Sequence, residues 1–402
     1  MTTAPVHPTA DVLVARQPIY DRALTVAAYK LLVQQPGGDA TRDEEAATSS
    51  TIAELGLNLV MGHPAYIKVS RTFLLEGYAR ALPSDRVVFE ISPDISLDPV
   101  IAETIRELVA DGFPIALDGF VFGGSLHELL DVASVVKLDV RAFEGGLLRD
   151  QVERVRPFGT KLLASNVENH DEAAMCDEIG FDLLQGYFFC KPRVVSSQAL
   201  HPNQLTQLQL ISALHSSDIQ MDELQAIISR DVGLSYSLLR FVNSAFFSLP
   251  RRVESLSDAL VLLGLRNVRR WATLVALASA DDKPHELVVT ALVRGRMCEL
   301  VAKESGQQDT DGFFTAGMFS VVDALMDRSM IEVLSALPFS PDMIKALLNY
   351  EGPKGRTLRA VIAYERGAFG ELGQLPPLHT PLSDLYARAV EWATEASGRL
   401  DG

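Results

Sequence analysis

The chain has 402 residues, of which 48% are hydrophobic and 22% charged, and its formal net charge is −16. This length allows two domains with cores of their own, and the composition is that of an ordinary globular protein. The negative charge argues against nucleic acid as a partner, because phosphates are met by basic surfaces.

No apolar run reaches the roughly 18 residues of a membrane span, and the N-terminal stretch MTTAPVHPTAD lacks a basic start and a hydrophobic signal core. We therefore expect a cytoplasmic protein without a membrane partner. Cys176, Cys190 and Cys298 lie far apart and form no CxxC pair. This spacing predicts buried thiols rather than a zinc site or a disulfide framework.

The front part of the chain alternates short apolar strands with helical segments. After a predicted tail at 1–11, the stretches VLVARQPIYD (12–21) and LTVAAYKLLV (24–33) are predicted to pair as a hairpin, and a helix fits 43–61. Further predicted strands are AYIKV (65–69), RVVFEI (86–91), FPIAL (113–117), SVVKLD (134–139), TKLLAS (160–165) and FDLLQGYFF (181–189). Such alternation over about 180 residues predicts a closed α/β barrel of the TIM type.

The character of the sequence changes near 194–204, where prolines and serines replace any periodic apolar face. We interpret this segment as a linker. From 205 to 402 the apolar spacing is helical throughout, which predicts a compact all-α domain with further helices at the C-terminus. The predicted barrel domain accordingly covers 12–193.

Several predicted strands end in charged residues, which a barrel presents at one rim. The strand FPIAL runs into Asp118 and Gly119, and SVVKLD carries Lys137 and Asp139. A second carboxylate in place of Gly119 would form a metal-bridging pair. Its absence suggests a barrel that has lost part of its chemistry.

Six stretches together resemble the EAL family, whose barrel hydrolyses cyclic di-GMP. They are RQPIYD (16–21), VVFEIS (87–92), ALDGF (116–120), KLD (137–139), SNVEN (165–169) and QGYFFCKP (185–192). DVGLSYSLLRFVNSAFF (231–247) and ALVLLGLRNVRRW (259–271) resemble the HDOD domain, a relative of the HD phosphohydrolases. The chain as a whole is similar to bacterial EAL-HDOD signalling proteins with a shortened barrel.

The resemblance implies two divalent cations held by acidic and amide side chains in an active EAL domain. Four positions of that pattern are substituted in this chain: Lys30, Lys68, Gly119 and Ser165. The residues that remain are Glu90, Asp118, Lys137, Asp139, Glu168 and Gln185. We therefore expect no metal, no cofactor and no enzymatic activity, because hard cations need several oxygen ligands.

Two interpretations of the remaining acidic residues stay open. In the first, Glu90, Asp118 and Asp139 pair with Lys30, Lys68 and Lys137 in an ion-pair network at the rim. In the second, the rim keeps a ligand site, with Lys30 and Lys68 replacing the cations as fixed positive charges. Arg16 and Gln17 are then candidate nucleotide contacts.

The rear part also departs from the pattern of a metal enzyme. The resemblance places the histidine–aspartate dyad of HD enzymes within FFTAGMFSVVDAL (313–325), where Ser320 and Val321 stand. A local basic cluster is either a solvated face or a docking patch for an acidic partner or for the barrel. It consists of Arg251, Arg252, Arg266, Arg269 and Arg270.

These observations lead to an expected non-catalytic signalling protein that acts through contacts with other signalling proteins. The alternative is a cyclic di-GMP receptor that binds without hydrolysis, and an active phosphodiesterase is a third interpretation. The EAL resemblance also suggests a homodimer.

Overall fold

The structure is a computed structural model. It describes residues 12–34, 49–143, 146–193, 220–229, 255, 258–264, 268, 272, 283–335, 337, 339–372 and 375–397. Contacts divide the chain into two compact units, the first made of Met1–Phe189 with Ala360–Ala387 and the second of Cys190–Arg359 with Arg388–Gly402. The predicted linker and the five arginines of the basic cluster lie outside the described residues.

The first unit contains a closed barrel of eight strands, as the sequence predicted. In order around the barrel these are β1 (Val14–Asp21), β2 (Val26–Val33), β3 (Ala65–Lys68), β4 (Val87–Ile91), β5 (Ile115–Leu117), β6 (Val135–Asp139), β7 (Lys161–Val167) and β8 (Leu183–Gly186). β1 is antiparallel to both of its neighbours, β2 and β8, and the other pairs are parallel. The predicted hairpin of the first two strands is confirmed.

One apolar side chain from each strand fills the middle of the barrel. This layer consists of Ile19, Ala28, Tyr66, Val88, Ala116, Val135, Leu163 and Leu183, all buried. Because side chains alternate between the two faces of a strand, the residues two positions away point into the same interior. The next layer, toward the carboxyl ends of the parallel strands, therefore consists of the residues two positions from those of the apolar layer.

Some of the helices around the barrel begin after a residue whose side chain caps them. The helix Pro99–Ala110 begins after Asp98, whose side chain accepts a hydrogen bond from Ile101 N. Gly77, which adopts a left-handed φ of 77°, separates the short helix Arg71–Leu75 from the 3₁₀ turn Tyr78–Ala81. The helical segments of this part are Ile52–Gly56, Leu57–Leu59, Arg71–Leu75, Tyr78–Ala81, Pro93–Ile95, Pro99–Ala110, His127–Leu129, Leu147–Val155, Arg156–Phe158, His170–Ile179 and Phe188–Cys190.

The described residues beyond position 220 form helices and turns without a strand, which confirms the predicted all-α character. The helices are Met221–Ser229, His285–Glu304, Thr310–Phe319, Val322–Met326, Met330–Ser335, Pro341–Asn349, Gly352–Glu365 and Leu382–Ser397, with a short 3₁₀ turn at Phe369–Glu371. His285–Glu304 packs closely on Thr310–Phe319, where a side chain at Gly317 would meet the carbonyl oxygen of Arg294 at 2.4 Å. None of the described helices is both long and apolar enough to cross a bilayer.

Residues 360–387, far along the chain, pack with the barrel in the first unit. The hydroxyl of Tyr364 donates to the carbonyl oxygen of Val14 over 2.9 Å, and Arg16 N donates to the hydroxyl of Tyr386 over 3.4 Å. Tyr364 is fully buried and Tyr386 nearly so. These contacts hold the start of β1, which lies at the same end of the barrel as the carboxyl ends of the parallel strands because β1 runs antiparallel.

Candidate functional site

The polar layer at the carboxyl end of the barrel follows from strand alternation. Two positions beyond the apolar layer, seven strands contribute Lys30, Lys68, Glu90, Asp118, Lys137, Ser165 and Gln185, and β1, running the other way, contributes Gln17. This single layer contains eight of the residues that the sequence marked. The barrel geometry brings them to one mouth.

Lys30, Glu90, Asp118 and Lys137 form a closed arrangement of alternating charge, which we call the charge ring. Lys30 Nζ lies 2.8 Å from Glu90 Oε2 and 3.3 Å from Asp118 Oδ2. Lys137 Nζ lies 3.2 Å from Asp118 Oδ1 and also pairs with Glu90 Oε1. The contact between Lys30 and Glu90 has the distance of an ion pair but not the angles of a hydrogen bond. Each of the four carboxylate oxygens therefore faces an ammonium group.

The charge ring lies at the boundary between core and solvent. The side chains of Glu90 and Lys137 are fully buried, whereas 17% of the Lys30 side chain and 20% of the Asp118 side chain are exposed. Two positive and two negative charges balance, which matters because an unpaired buried charge costs several kcal/mol. Lys30 and Asp118 are the members that a ligand could reach from solvent.

The electrostatic effects in the ring keep its exposed members ionised. Burial would raise the pKa of Asp118, but the ammonium groups of Lys137 and Lys30 hold that pKa below its usual value. Burial would likewise lower the pKa of Lys30, but the carboxylates of Glu90 and Asp118 outweigh it and raise that pKa. Both side chains therefore carry their charge at neutral pH.

The two divalent cations that the EAL resemblance implies do not fit the residues present. A cation such as Mg²⁺ requires several oxygen ligands in tight geometry. In this mouth the oxygens of Glu90 and Asp118 already face ammonium groups, one of them from Lys30. Within the described ranges no three His, Cys, Asp or Glu side chains cluster as a metal site.

Three further side chains of the layer, Gln17, Gln185 and Ser165, have hydrogen-bond partners outside the ring. Gln185 Nε2 donates to Gln17 Oε1 over 2.7 Å, which joins β8 to β1. Ser165 Oγ donates to the carbonyl oxygen of Leu138 over 3.3 Å. The N–H₂ group of Gln17 and the side-chain oxygen of Gln185 are further hydrogen-bonding groups at the mouth.

Lys68 does not join the charge ring. Its ammonium group lies 2.7 Å from Asp94 Oδ2, in the turn that follows β4, and 38% of its side chain is exposed. The pKa of Asp94 is lowered by the hydrogen bond from Lys68 and by another from Ser92. Asp94 is a site residue that the sequence reading missed, since nothing in the strand pattern marked a residue of this turn.

Asp139 and Glu168 also lie apart from the ring. Asp139 accepts hydrogen bonds from Asn166 Nδ2 and from Arg141 N, both over 2.9 Å. Glu168 lies 4.0 Å from the guanidinium group of Arg141, with both side chains well exposed. Asn166, which the sequence reading also missed, adopts a left-handed φ of 60°, and asparagine tolerates that region better than most residues.

The backbone conformation of Gly119 and the contacts of Arg16 are explained by their local structure. Gly119 has a left-handed φ of 63°, which glycine adopts more readily than residues with a side chain. Arg16 points away from the barrel interior: its Nη1 donates to the carbonyl oxygen of Leu59 over 2.5 Å, and its guanidinium group lies 4.3 Å from the centroid of Tyr29. The structure therefore does not bring Arg16 to the charge ring.

In the second unit, a buried arginine contacts Ser320, one of the two positions at which the resemblance places a metal dyad. Arg294 is buried, and its Nη1 donates to Ser320 Oγ over 3.2 Å and its Nη2 to Cys190 Sγ over 3.8 Å. Burial raises the pKa of nearby Asp323. Cys176 and Cys298 are buried as predicted, while Cys190 is half-buried.

Comparisons with known proteins agree with both halves of this description. The EAL domain model matches residues 69–192, and the HDOD domain model matches residues 201–334. The chain is 27% identical over 400 residues to the uncharacterized protein YuxH of Bacillus subtilis, which covers 95% of this chain and 98% of that protein. It is 30% identical over 365 residues to the cyclic di-GMP phosphodiesterase CdgJ of Vibrio cholerae, with 88% of this chain and 84% of that protein covered.

Among solved structures, the EAL domain of Mycobacterium smegmatis DcpA is similar, with 22% identity and a TM-score of 0.37. The match covers 44% of this chain and 91% of that one.

The prediction that the chain is not an enzyme is wrong in the light of these relatives, because CdgJ carries the name of a phosphodiesterase. That prediction inferred the loss of turnover from four substituted positions. Residue types at separate positions do not determine a rate, because groups that act together contribute in a strongly non-additive way. Glu90, Asp118 and Lys137 keep their places at the mouth. With both domains matched in order and a relative of this identity over most of its length, the chain belongs to the EAL-HDOD family.

Proposed function

We propose that this protein acts in cyclic di-GMP signalling and that the carboxyl-end mouth of its barrel binds the dinucleotide. The observation that carries the proposal is the charge ring, which places the ammonium group of Lys30 at the edge of solvent. An ammonium group has three N–H donors; one of them bonds to Asp118, and the ammonium group also faces Glu90 at ion-pair distance. A further N–H group is available to a phosphate oxygen.

The surroundings of the ring support this ligand class. A lysine ammonium is a compact point charge suited to phosphate, and the hydrogen bond between them is strengthened by charge. The Gln17–Gln185 amide pair adds neutral donors and acceptors of the kind that read the edge of a nucleobase. The identity with CdgJ, whose name specifies cyclic di-GMP, supports the particular dinucleotide.

Isothermal titration of cyclic di-GMP into the full chain tests the proposal. We expect a saturable isotherm, and we expect Lys30→Met to weaken the affinity by at least about tenfold because it removes a charged phosphate contact. Lys161→Met is the matched control, since it removes the same charge from the exposed start of β7 at the opposite end of the barrel. The absence of binding to the wild-type chain would refute the proposal.

Hydrolysis of cyclic di-GMP is the second candidate function, and the name and identity of CdgJ favour it. Its test is chromatographic detection of the linear dinucleotide pGpG after incubation with the full chain and Mn²⁺. Product formation that scales with protein and is lost in Asp118→Asn supports this candidate. Product no higher than in Asp118→Asn removes it and leaves the binding function in place.

We also propose that the helical part passes the signal on by contact with another signalling protein. The support is the HDOD match together with Ser320 and Val321, which stand where the resemblance puts a metal dyad. The basic cluster defined above supplies charges for an acidic partner. A partner recovered with the full chain should bind the purified protein directly and lose affinity when Arg266, Arg269 and Arg270 are changed to alanine. Equal affinity for this variant would refute the docking role of the cluster.

A further inference from the structure

We propose that Lys30 is a built-in competitor for divalent cations at the barrel mouth, because its ammonium group faces the carboxylate oxygens that a metal ion would have to use. This inference concerns the mouth in which we place the nucleotide. It rests on the charge ring alone, so it can fail while nucleotide binding holds.

The geometry of the ring places Lys30 where a bridging cation would bind. Lys30 Nζ lies between two carboxylates that come from different strands, 2.8 Å from Glu90 Oε2 on β4 and 3.3 Å from Asp118 Oδ2 just beyond β5. The opposite oxygens of the same carboxylates face Lys137. A cation that bridged Glu90 and Asp118 on the solvent side would therefore occupy the place that Lys30 now fills.

The charge balance of the ring also disfavours a divalent cation. As it stands, the ring is neutral, and its buried members are compensated. A divalent cation entering next to two ammonium groups would be repelled by both, and carboxylates that already face ammonium groups attract it less.

The position of residue 30 on β2 lets a substitution there change the charge of the ring. Its side chain enters the mouth because Ala28, two residues earlier, belongs to the apolar layer. A glutamate at the same position would reach the same space between Glu90 and Asp118 and would change the ring from neutral to a charge of −2. A glutamine would change it to −1, while Lys137 would continue to pair with Glu90. These two substitutions should therefore turn a blocked cation site into an open one, to different degrees.

The test uses Mn²⁺ as the probe and no nucleotide. The electron paramagnetic resonance signal of free Mn²⁺ is measured during titration of the full-length wild type, Lys30→Glu, Lys30→Gln and Lys161→Glu. We expect Lys30→Glu to tighten Mn²⁺ binding by at least about tenfold and Lys30→Gln to shift it in the same direction by less. The control Lys161→Glu makes the same charge change at the other end of the barrel and should stay within about twofold of wild type.

A double variant tests whether the Mn²⁺ site gained in Lys30→Glu lies in the charge ring. Adding Asp118→Asn to Lys30→Glu should abolish the gain, because it removes one of the two carboxylates. Circular dichroism confirms that each variant is folded, and if Lys30→Glu does not fold, Lys30→Gln decides. Mn²⁺ affinities of the Lys30 variants equal to wild type would overturn the inference. So would a wild-type Mn²⁺ site that Asp118→Asn eliminates, because the metal would then coexist with Lys30.

Discussion

Lys30 Nζ lies 2.8 Å from Oε2 of Glu90, a carboxylate that the barrel buries completely. The two residues belong to β2 and β4, with β3 between them, so the long lysine side chain crosses part of the barrel mouth to reach its partner. A positive charge at position 30 is thus compensated within the fold, and the carboxylate it meets is not left unpaired. The mouth is held together by charge balance among four side chains.

Removing the buried ammonium of the ring should be costly. Lys137→Met leaves Glu90 buried with only Lys30 as a partner, and we expect a loss of about 3 kcal/mol in the free energy of unfolding, since breaking one side of a buried pair costs about 3–5 kcal/mol. Chemical denaturation of the full chain followed by circular dichroism measures the loss. Lys161→Met, an exposed lysine of the same barrel, should stay within about 0.5 kcal/mol of wild type. Similar values for both variants would show that Lys137 does not stabilise Glu90.

Acid should weaken the ring through Asp118. Its folded pKa lies below the ordinary value of 3.8, so its stabilising contribution is fully present above pH 3.8 and is lost as the pH falls through the folded pKa. Melting temperatures of wild type and Asp118→Asn should therefore differ at pH 7 and pH 5 and converge below pH 3.8. The exposed Asp131→Asn is the control and should track wild type at every pH. A difference that stays constant down to pH 3 would be inconsistent with a paired Asp118.

The packing of residues 360–387 on the barrel can be tested through one hydroxyl group. Tyr364→Phe removes the donor to the carbonyl oxygen of Val14 in a fully buried place, and we expect a loss of about 1–3 kcal/mol. Hydrogen exchange should accelerate in β1. Tyr350, which is 40% exposed, provides the matched control, and Tyr350→Phe should leave exchange in β1 unchanged. Unaltered exchange in Tyr364→Phe would mean that this contact does not stabilise the strand.

Gly186 fixes how closely β8 approaches β7. A Cβ atom at this position would lie 1.8 Å from the carbonyl oxygen of Val167, so Gly186→Ala must push the two strands apart. We expect a cost of about 3 kcal/mol or more and, because Gln185 precedes it, weaker cyclic di-GMP binding. Gly146→Ala is the control, since nothing lies within 4 Å of the atom it adds. Denaturation and titration of both variants check the prediction, and equal stabilities would contradict it.

The barrel could be predicted from the sequence because its strands are short, apolar and regularly spaced. The same alternation identified Lys30, Glu90, Asp118 and Lys137 as residues near strand ends. It could not say which lysine meets which carboxylate, because that depends on the interior layer to which each belongs and on the order of strands around the barrel. Lys68 illustrates the limit, since its partner Asp94 comes from a turn that no periodic pattern marks.

Long-range packing was the other feature that the sequence could not provide. The pattern near the C-terminus is helical, which predicted helices correctly but not their neighbours. Tyr364 and Tyr386 contact β1 from some 350 positions away in the chain, as the separations of 350 and 370 residues show. Burial of an aromatic side chain gives no information about which distant strand covers it.

Titration of cyclic di-GMP into the full chain in the presence of EDTA, compared with the same titration in Mn²⁺, tests most directly whether Lys30 replaces a metal ion. If Lys30 takes the place of a metal ion at the mouth, the dissociation constant should be the same in both conditions, and Lys30→Met should weaken binding where Lys161→Met does not. Binding that appears only when Mn²⁺ is added would contradict the role assigned to Lys30. No binding in either condition would contradict the nucleotide site itself.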